Sequence, residues 1–358
     1  MEKILIRRII ILGKIINNYI KWKLGFPSPF YTLYYCTFRC NLSCLFCPII
    51  SYPPENKGCL FSQKYSLGKE NEMTTSQAKY FIDQLGKIGI YFILFGGGEP
   101  LLREDLEELA GYAKNRNILT ALSTNGTLIT DERAKSLMSC FDSIMVSVHG
   151  SEDIDDKIKQ REGSFKKTIE GLKLLKKYPG AKVGINFVIN KCNYHQIEDI
   201  FIFAKENCDF INYISVNCDF GPAFSLGEEI SKGIVRKILK LKEKNQNFII
   251  NTKEQLSLFA DHLSGKRIPI KCNAFDLFTQ VGPAGEFGGC ERAFVVGNIL
   301  NINIKELIKL GKGRKGELQD NCKEIVCDAH LPYTPKLSMF KFFDIKILIA
   351  KFFKNTNL

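Results

Sequence analysis

Residues 40–47 read Cys-Asn-Leu-Ser-Cys-Leu-Phe-Cys, three cysteines in the spacing CxxxCxxC. They come shortly after a run of aromatic and β-branched residues at 31–36, which predicts a strand. Three thiolates at this spacing can hold three irons of a [4Fe–4S] cluster and leave the fourth iron without a protein ligand. The alternative is a zinc site, which needs a fourth ligand, and the nearest candidates are Cys36 and Cys59.

Strand-like and helix-like runs alternate through the middle of the chain. The predicted strands lie at 31–36, 90–95, 119–124, 143–148, 182–189 and 211–216. The predicted helices lie near 75–87, 104–115, 131–140, 164–178 and 194–207. Six strands separated by helices predict an α/β fold with a parallel sheet, closed or nearly closed into a barrel. A dinucleotide-binding sheet is disfavoured, because no GxGxxG follows the first strand.

A second motif, Gly-Gly-Gly-Glu-Pro-Leu-Leu at 96–102, follows the second predicted strand. Glycines let a backbone approach a ligand closely, and the Glu99 carboxylate can accept hydrogen bonds from an ammonium group. A tight turn with a capping glutamate is the simpler alternative. Both motifs are expected at the carboxyl ends of strands, where barrels place their functional residues.

Together, the two motifs on this strand order resemble the radical S-adenosylmethionine (radical SAM) superfamily over about residues 29–245. The resemblance implies a partial (β/α)6 barrel of the TIM type. It also implies that the [4Fe–4S] cluster is ligated by Cys40, Cys44 and Cys47. The open iron would bind S-adenosylmethionine, whose amino group would be received by Gly97, Gly98 and Glu99. The implied reaction is reductive cleavage to a 5′-deoxyadenosyl radical, which abstracts hydrogen from the substrate.

The resemblance assigns further cofactor contacts. Phe46, between two of the cysteines, corresponds to an aromatic residue that packs near the adenine. Ser147 and Arg161 resemble residues that hold the ribose and carboxylate in relatives with a second cluster, and Asn125 lies in a similar Asn-Gly turn. The simpler alternatives are a strand-end hydroxyl, a solvated arginine and an ordinary turn.

From about residue 246 the chain becomes rich in short segments with Gly and Cys. A cysteine, a spacer, a Gly-x-x-x-x-Cys and a distant pair resemble the SPASM/Twitch extension, which holds auxiliary clusters. The resemblance implies one auxiliary [4Fe–4S] cluster, with the ligands Cys272, Cys290, Cys322 and Cys327. Because the last two are spaced CxxxxC, unlike the usual pattern, His330 is an alternative ligand, and a zinc knuckle is the alternative site.

The other cysteines are expected to pack in the core as small apolar residues. Cys192 and Cys218 carry a sharper hypothesis, because each follows a predicted strand and could return a hydrogen atom to a substrate radical. His149 and His195 lie near the same rim and are expected to be ordinary polar residues. Residues 48–72 predict a long loop near the barrel mouth.

The predicted division of the chain is 1–28, 29–245, 246–335 and 336–358: a basic amphipathic helix, the core, the auxiliary domain and a basic amphipathic tail. The formal net charge is +12, of which the first 25 residues supply +5 and residues 336–358 supply +4. This distribution disfavours a nucleic-acid face on the core. Each tail either packs its apolar side on the barrel and leaves its cations in water, or lies on an anionic membrane.

The composition also limits the compartment and the partners. Thirteen cysteines are an odd number that cannot pair completely, which favours metal chemistry in a reducing cytoplasm. The first residues do not read as a cleavable signal peptide, and peripheral attachment to the inner membrane face is an alternative. The expected partners are a peptide or small-molecule substrate and an electron donor of the flavodoxin or ferredoxin type. A membrane-lipid substrate and a non-catalytic iron–sulfur or zinc scaffold are the alternatives.

Overall fold

The computed structural model describes residues 2–26, 28–51, 68–216, 224–266, 272–290 and 294–317. Its central feature is a sheet in which six parallel strands follow one another in chain order. These strands are β1 (Tyr31–Thr37), β2 (Phe92–Gly97), β3 (Leu119–Thr124), β4 (Ser143–Ser147), β5 (Lys182–Ile189) and β6 (Phe210–Ser215). All six predicted strands are confirmed. Since β6 is an edge of the sheet and does not pair with β1, the barrel is partial.

Helices alternate with these strands and cover the sheet, as expected for parallel strands buried on both faces. The helices are α1 (Glu2–Lys23), α2 (Pro48–Ser51), α3 (Thr75–Ile88), α4 (Leu106–Asn115), α5 (Asp131–Cys140), α6 (Glu152–Lys159), α7 (Ser164–Lys176), α8 (Ile197–Asn207), α9 (Glu228–Lys244), α10 (Lys253–Leu263) and α11 (Ile304–Gly313). The five predicted helices of the core are confirmed. The short helix α6 is an addition to the prediction.

The C-terminal segment extends the same sheet. Strand β7 (Phe278–Val281) pairs in parallel with β1, so that Tyr31 lies opposite Phe278. Strands β8 (Glu286–Gly288) and β9 (Gly297–Asn298) then follow in antiparallel pairing. The residues after 272 are therefore joined to the barrel through β1, and the division of the chain at residue 245 stays a prediction.

Aromatic side chains fill the layer between the sheet and helices α3 to α5. The Tyr34 ring lies 5.1 Å from that of Phe81 and 5.8 Å from that of Phe95, measured between centroids. Phe95 in turn meets Phe141 edge to face at 5.5 Å. All four side chains are fully buried. These contacts hold β1 and β2, which carry the two sequence motifs, in a fixed relation.

Local sequence signals set several of the helix ends. Helix α3 begins after Thr74, whose side chain forms a capping box with Gln77, and ends at Gly89 with a φ of 86°. Helix α4 begins two residues later than predicted, because Arg103 and Asp105 form an ion pair of 2.6 Å before it. Arg103 also donates to the main-chain oxygen of Met73 at 2.8 Å.

Helix α1 lies across the amino ends of the strands, with polar side chains facing the sheet. Arg7 donates to both carboxylate oxygens of Asp142, at 2.9 and 2.7 Å. Lys14 donates to the main-chain oxygen of Asn117 at 3.0 Å, and Asn18 to that of Gly89 at 3.1 Å. The expectation that the cations of this helix remain in water is therefore wrong for Arg7 and Lys14, whereas the expected apolar contact with the barrel is made by Ile11 and Ile15. Main-chain oxygens at the strand ends need donors, and the helix supplies them.

Part of the predicted mouth loop and the whole C-terminal tail lie outside the described residues. Within 48–72, the structure describes α2 and a 3₁₀ turn at Lys69–Asn71. Residues 52–67 and 336–358 are not among the described ranges. The predictions of a loop over the mouth and of a second amphipathic helix therefore stay predictions.

Candidate active site

A cavity of about 220 Å³ opens at the carboxyl ends of the strands. Every strand from β1 to β6 contributes to its wall, either directly or through the loop that follows it. Its lining residues include Cys40, Leu42, Cys44, Phe46, Cys47, Gly97, Gly98, Ser123, Thr124, Asn125, Ser147, His149, Lys159, Asn186, Val188 and Ile214. This is the edge at which barrels place their functional residues. Of the candidate residues, the cavity brings together Cys40, Cys44, Cys47, Phe46, Gly97, Gly98 and Ser147.

Asn41 fixes the cysteine loop to the turn after β3. Its side chain donates to the Thr127 hydroxyl at 2.9 Å and accepts from the Asn125 amide at 2.9 Å. The Asn125 side chain also accepts from the Thr127 main-chain N–H at 2.9 Å. Asn125 is thus both a turn residue, as its sequence suggested, and a support for the cysteine loop.

The three thiols face this cavity at different depths. Cys40 is exposed, while Cys44 and Cys47 are half-buried. Burial raises the pKa of the half-buried Cys44 thiol to about 12. Three soft sulfur donors on one loop fit an iron–sulfur cluster, whose binding would deprotonate them. Among the described residues, no group of three His, Cys, Asp or Glu side chains is arranged to hold a single metal ion.

Two glycines close the end of β2 against the chain that leads to the cysteine loop. Gly97 has a φ of 133°, and a Cβ there would lie 2.1 Å from the main-chain oxygen of Thr37. A Cβ at Gly98 would lie 2.2 Å from the main-chain oxygen of Arg39. The Gly98 N–H donates to the main-chain oxygen of Thr37 at 2.8 Å. The absence of side chains therefore permits backbone packing next to the cysteines, besides leaving the backbone open to a ligand.

Glu99 lies behind the cavity wall. Its side chain is fully buried and is not among the lining residues. One carboxylate oxygen accepts from the Thr124 hydroxyl at 2.7 Å and from Leu101 N–H at 3.0 Å, while the other accepts from Asn125 N–H at 2.8 Å. Burial raises the pKa of this carboxyl, and these donors oppose the shift. Glu99 thus joins the ends of β2 and β3, and its contact with an amino group stays a prediction.

Lys159, which the sequence did not single out, is the one cation among the described residues that line the cavity. Its side chain is 1% exposed, and its Nζ donates to the main-chain oxygen of Ser147 at 2.9 Å and to the Thr168 hydroxyl at 3.0 Å. It also forms an ion pair of 2.8 Å with Asp155, which is equally buried. The sequence does contain Asp155 and Lys159 at i and i+4 after the fourth strand. Ion pairs at this spacing are more common on solvated helix faces, so the sequence alone did not indicate a buried pair.

Arg161 contacts the cysteine loop but is not among the residues that line this cavity, so its contact with the cofactor stays a prediction. Its guanidinium donates to the main-chain oxygen of Asn41 at 2.8 Å. It lines a neighbouring cavity of about 180 Å³, together with Thr127, Ser164 and Lys167. The structure therefore places Lys159, and not Arg161, beside Ser147.

Phe46 and His149 form one side of the cavity, with ring centroids 5.2 Å apart in an edge-to-face arrangement. Burial and the nearby Lys159 lower the pKa of His149 to about 3. Its Nδ1 accepts from the Val188 N–H at 3.4 Å, so the neutral ring carries its proton on Nε2. His149 is therefore a wall residue with an ordinary neutral ring, whereas His195 is exposed away from the cavity.

The part of the chain that builds this cavity matches a known family. Residues 34–204 match the model of the Radical SAM superfamily. These residues form a radical SAM domain. The matched range begins in β1 and ends in α8, so it contains the cysteine loop, the glycine motif, Ser147 and Lys159.

Curated relatives of the radical SAM domain act on different kinds of molecule, to judge by their names. The chain is 38% identical over 171 residues to Fe-coproporphyrin III synthase of Methanosarcina barkeri, which covers 48% of this chain and 39% of that protein. It is 28% identical over 184 residues to the mycofactocin maturase MftC of Mycolicibacterium smegmatis, and this match covers 50% of this chain and 43% of MftC. The chain thus spans less than half the length of these relatives.

Solved structures resemble the chain beyond the radical SAM domain. SuiB of Streptococcus suis, bound to its precursor peptide SuiA, has a TM-score of 0.62 at 15% identity and covers 82% of this chain and 67% of that chain. Native anSMEcpe with bound AdoMet has a TM-score of 0.61 at 18% identity, and the match covers 92% of this chain and 100% of anSMEcpe. At these identities the likeness shows a shared fold.

Two of the four predicted auxiliary ligands lie in the described residues, beyond the radical SAM domain. Cys272 and Cys290 are both buried. Their segments touch, because a Cβ at Gly289 would lie 2.8 Å from the Ala274 side chain. Burial raises the pKa of the Cys272 thiol, and Lys315 opposes the shift. Cys322, Cys327 and the alternative ligand His330 lie outside the described residues.

The other cysteines are dispersed. Cys36 is fully buried in β1 and donates to the main-chain oxygen of Gly96 at 3.3 Å, which fits core packing. Cys192 is half-buried and is not among the lining residues of the cavity. Cys59 and Cys218 lie outside the described residues. The hydrogen-donor hypothesis for Cys192 and Cys218 therefore stays a prediction.

Proposed function

We propose that this chain is a radical SAM enzyme that modifies a peptide or a small molecule. The observation that carries the proposal is the single cavity that collects the three thiols, the Gly97–Gly98 backbone, Ser147 and Lys159. When bound, a [4Fe–4S] cluster and S-adenosylmethionine supply a 5′-deoxyadenosyl radical that takes a hydrogen atom from the substrate. The residues of the chain bind and orient these groups.

Cys40, Cys44 and Cys47 are the proposed ligands of the cluster. The soft donor set fits iron, and Asn41 fixes the loop to the end of β3. A loop whose backbone is already held loses little conformational freedom when the cluster binds. Leu45 N–H adds a further hydrogen bond of 2.9 Å, to the main-chain oxygen of Ile158.

Ser147 and Lys159 are the proposed polar contacts of the cofactor. Among the described residues that line the cavity, Lys159 is the sole cation. Asp155 already pairs with it, so its proposed role is to offer its Nζ, beside Ser147, as a polar contact for a ligand carboxylate. The edge-to-face pair of Phe46 and His149 presents aromatic surface, which suits a flat adenine ring. Val188 and Ile214 give the wall an apolar part that excludes water from a reactive radical.

We further propose one auxiliary cluster, held by Cys272 and Cys290 together with Cys322 and Cys327. Support comes from the burial of the first two thiols in adjoining segments and from the cysteine spacing. The substrate class rests on the relatives, whose names are Fe-coproporphyrin III synthase and mycofactocin maturase. A flavodoxin- or ferredoxin-type protein is the proposed electron donor. A scaffold without catalysis would explain the cysteines but not the polar wall around Lys159.

Anaerobic reconstitution tests this proposal. The wild-type chain is expected to bind about eight irons, two cubanes' worth. The variant Cys40→Ala/Cys44→Ala/Cys47→Ala should lose about half of them, whereas Cys208→Ala, which removes a half-buried cysteine outside both sites, should lose none. Zinc in place of iron, or an iron content that the triple substitution does not change, would overturn the proposal.

A further inference from the structure

Within the part of the chain that the structure describes, helix α1 exposes an apolar face. Because Arg7, Lys14 and Asn18 turn toward the barrel, the aliphatic residues on the opposite side of the helix turn outward. The exposed fractions are 48% for Ile6, 52% for Ile9 and 51% for Ile20. At about 100° per residue these positions share one side of the helix. We call this set, with Leu5 and Ile10, the outer stripe.

The apolar surface continues past the end of the helix. Leu24 and Phe26 are 67% and 60% exposed. Scattered exposed apolar side chains are normal on a protein, whereas a contiguous row marks a surface that binds something. Ile11 and Ile15, by contrast, are buried against the barrel. Helix α1 is therefore apolar on two sides, and the barrel covers one of them.

The charges beside the outer stripe are all of one sign. Arg8 and Lys21 are exposed, and residues 3–28 contain no acidic residue. The one acidic side chain that α1 contacts in the described residues, Asp142, is already paired with Arg7. A stripe of aliphatic side chains with cations and without anions is complementary to the surface of an anionic bilayer.

The position of α1 in the fold suits such a surface. The helix packs at the amino ends of β2 to β4, whereas the cavity lies at the carboxyl ends of the strands. A bilayer against the outer stripe would therefore leave the cavity mouth facing water. None of the described helices is both long and apolar enough to cross a membrane.

We propose that α1 attaches this protein to the surface of anionic membranes through the outer stripe, with Arg8 and Lys21 contacting lipid phosphates. The half-buried Arg7 and Lys14 hold the helix to the barrel and take no part in lipid contact.

Flotation of the full-length protein with vesicles tests the proposal. Wild-type protein should float with vesicles of phosphatidylcholine and phosphatidylglycerol, less at high salt and less with phosphatidylcholine alone. The variant Ile6→Gln/Ile9→Gln/Ile10→Gln should bind at least about tenfold more weakly, because it loses apolar area. The matched control is Ile202→Gln/Ile230→Gln/Leu310→Gln, which changes three similarly exposed residues on other helices and should bind like the wild type.

A second variant, Arg8→Gln/Lys21→Gln, should reduce binding about fivefold per charge without changing the apolar stripe. Wild-type protein that stays unbound at low salt, or a stripe variant that binds as well as the wild type, would overturn the proposal. Light scattering tests whether the outer stripe binds a second copy of the chain instead. If the wild type is a dimer and the stripe variant is a monomer, the stripe is an interface between two copies and the lipid proposal fails.

Discussion

The Lys159 Nζ donates to the main-chain oxygen of Ser147 over 2.9 Å, and this bond places a buried cation at the carboxyl end of β4. Asp155 pairs with the same Nζ, and both side chains are almost completely buried. Lys159→Met would leave the Asp155 charge unpaired and should cost about 3–5 kcal/mol in the free energy of unfolding. Urea unfolding measures this cost.

The double variant Asp155→Asn/Lys159→Met separates stability from binding, because it removes both buried charges. It should be more stable than Lys159→Met yet bind S-adenosylmethionine at least about tenfold more weakly than the wild type, as expected for a lost charge-assisted contact. Equilibrium dialysis measures the affinity. Unchanged affinity in this variant would show that Lys159 supports the fold alone.

The contact between Gly98 and Arg39 predicts that a single methyl group disturbs the cysteine loop. Gly98→Ala places a Cβ 2.2 Å from the Arg39 oxygen, so the backbone must shift, at a cost of about 1–3 kcal/mol. Iron content after reconstitution should fall along with the unfolding midpoint. The control Gly111→Ala lies in α4 with no atom near its Cβ and should be neutral or slightly stabilising. Equal effects of the two substitutions would contradict this account.

The low pKa of His149 predicts a loss of stability in acid. Its folded-state pKa of about 3 lies below the ordinary value of 6.5, so the unfolded chain binds the proton more tightly. Stability is therefore complete above about pH 7 and falls as the pH drops from about 6.5 toward about 3, by about 2 kcal/mol at pH ~5. The difference between the wild type and His149→Gln, followed by urea unfolding at several pH values, should show this slope. Parallel profiles would exclude His149 as its source.

The strands could be predicted from sequence because parallel strands buried on both faces read as runs of β-branched and aromatic residues. Helix α6 was missed because its eight residues are mostly charged, and a charged segment reads as solvated. The burial of Lys159 follows from its three partners in space, which the spacing alone cannot give. The expectation that the cations of α1 stay in water was wrong for a related reason. A helix with apolar residues on two sides has no unique inward face, and the hydrogen bonds of Arg7 and Lys14 decided it.

The proposed auxiliary cluster predicts a separation of roles. Cys272→Ser/Cys290→Ser should lose about four irons and still cleave S-adenosylmethionine, because the loop at 40–47 is untouched. Modification of the substrate should stop. Iron analysis and 5′-deoxyadenosine assays measure the first two effects. Circular dichroism checks the fold, since losing a cluster can unfold the segment that holds it. An unchanged iron content would refute the assignment.

The central claim is that the cavity at the carboxyl ends of the strands cleaves S-adenosylmethionine reductively. Its most direct test is the formation of 5′-deoxyadenosine by the reconstituted, reduced protein in the absence of oxygen. The account predicts that the wild type and Cys208→Ala form 5′-deoxyadenosine and that Cys40→Ala/Cys44→Ala/Cys47→Ala forms none. Wild-type protein that holds its cluster but forms none, or a triple variant that forms as much as the wild type, would contradict it.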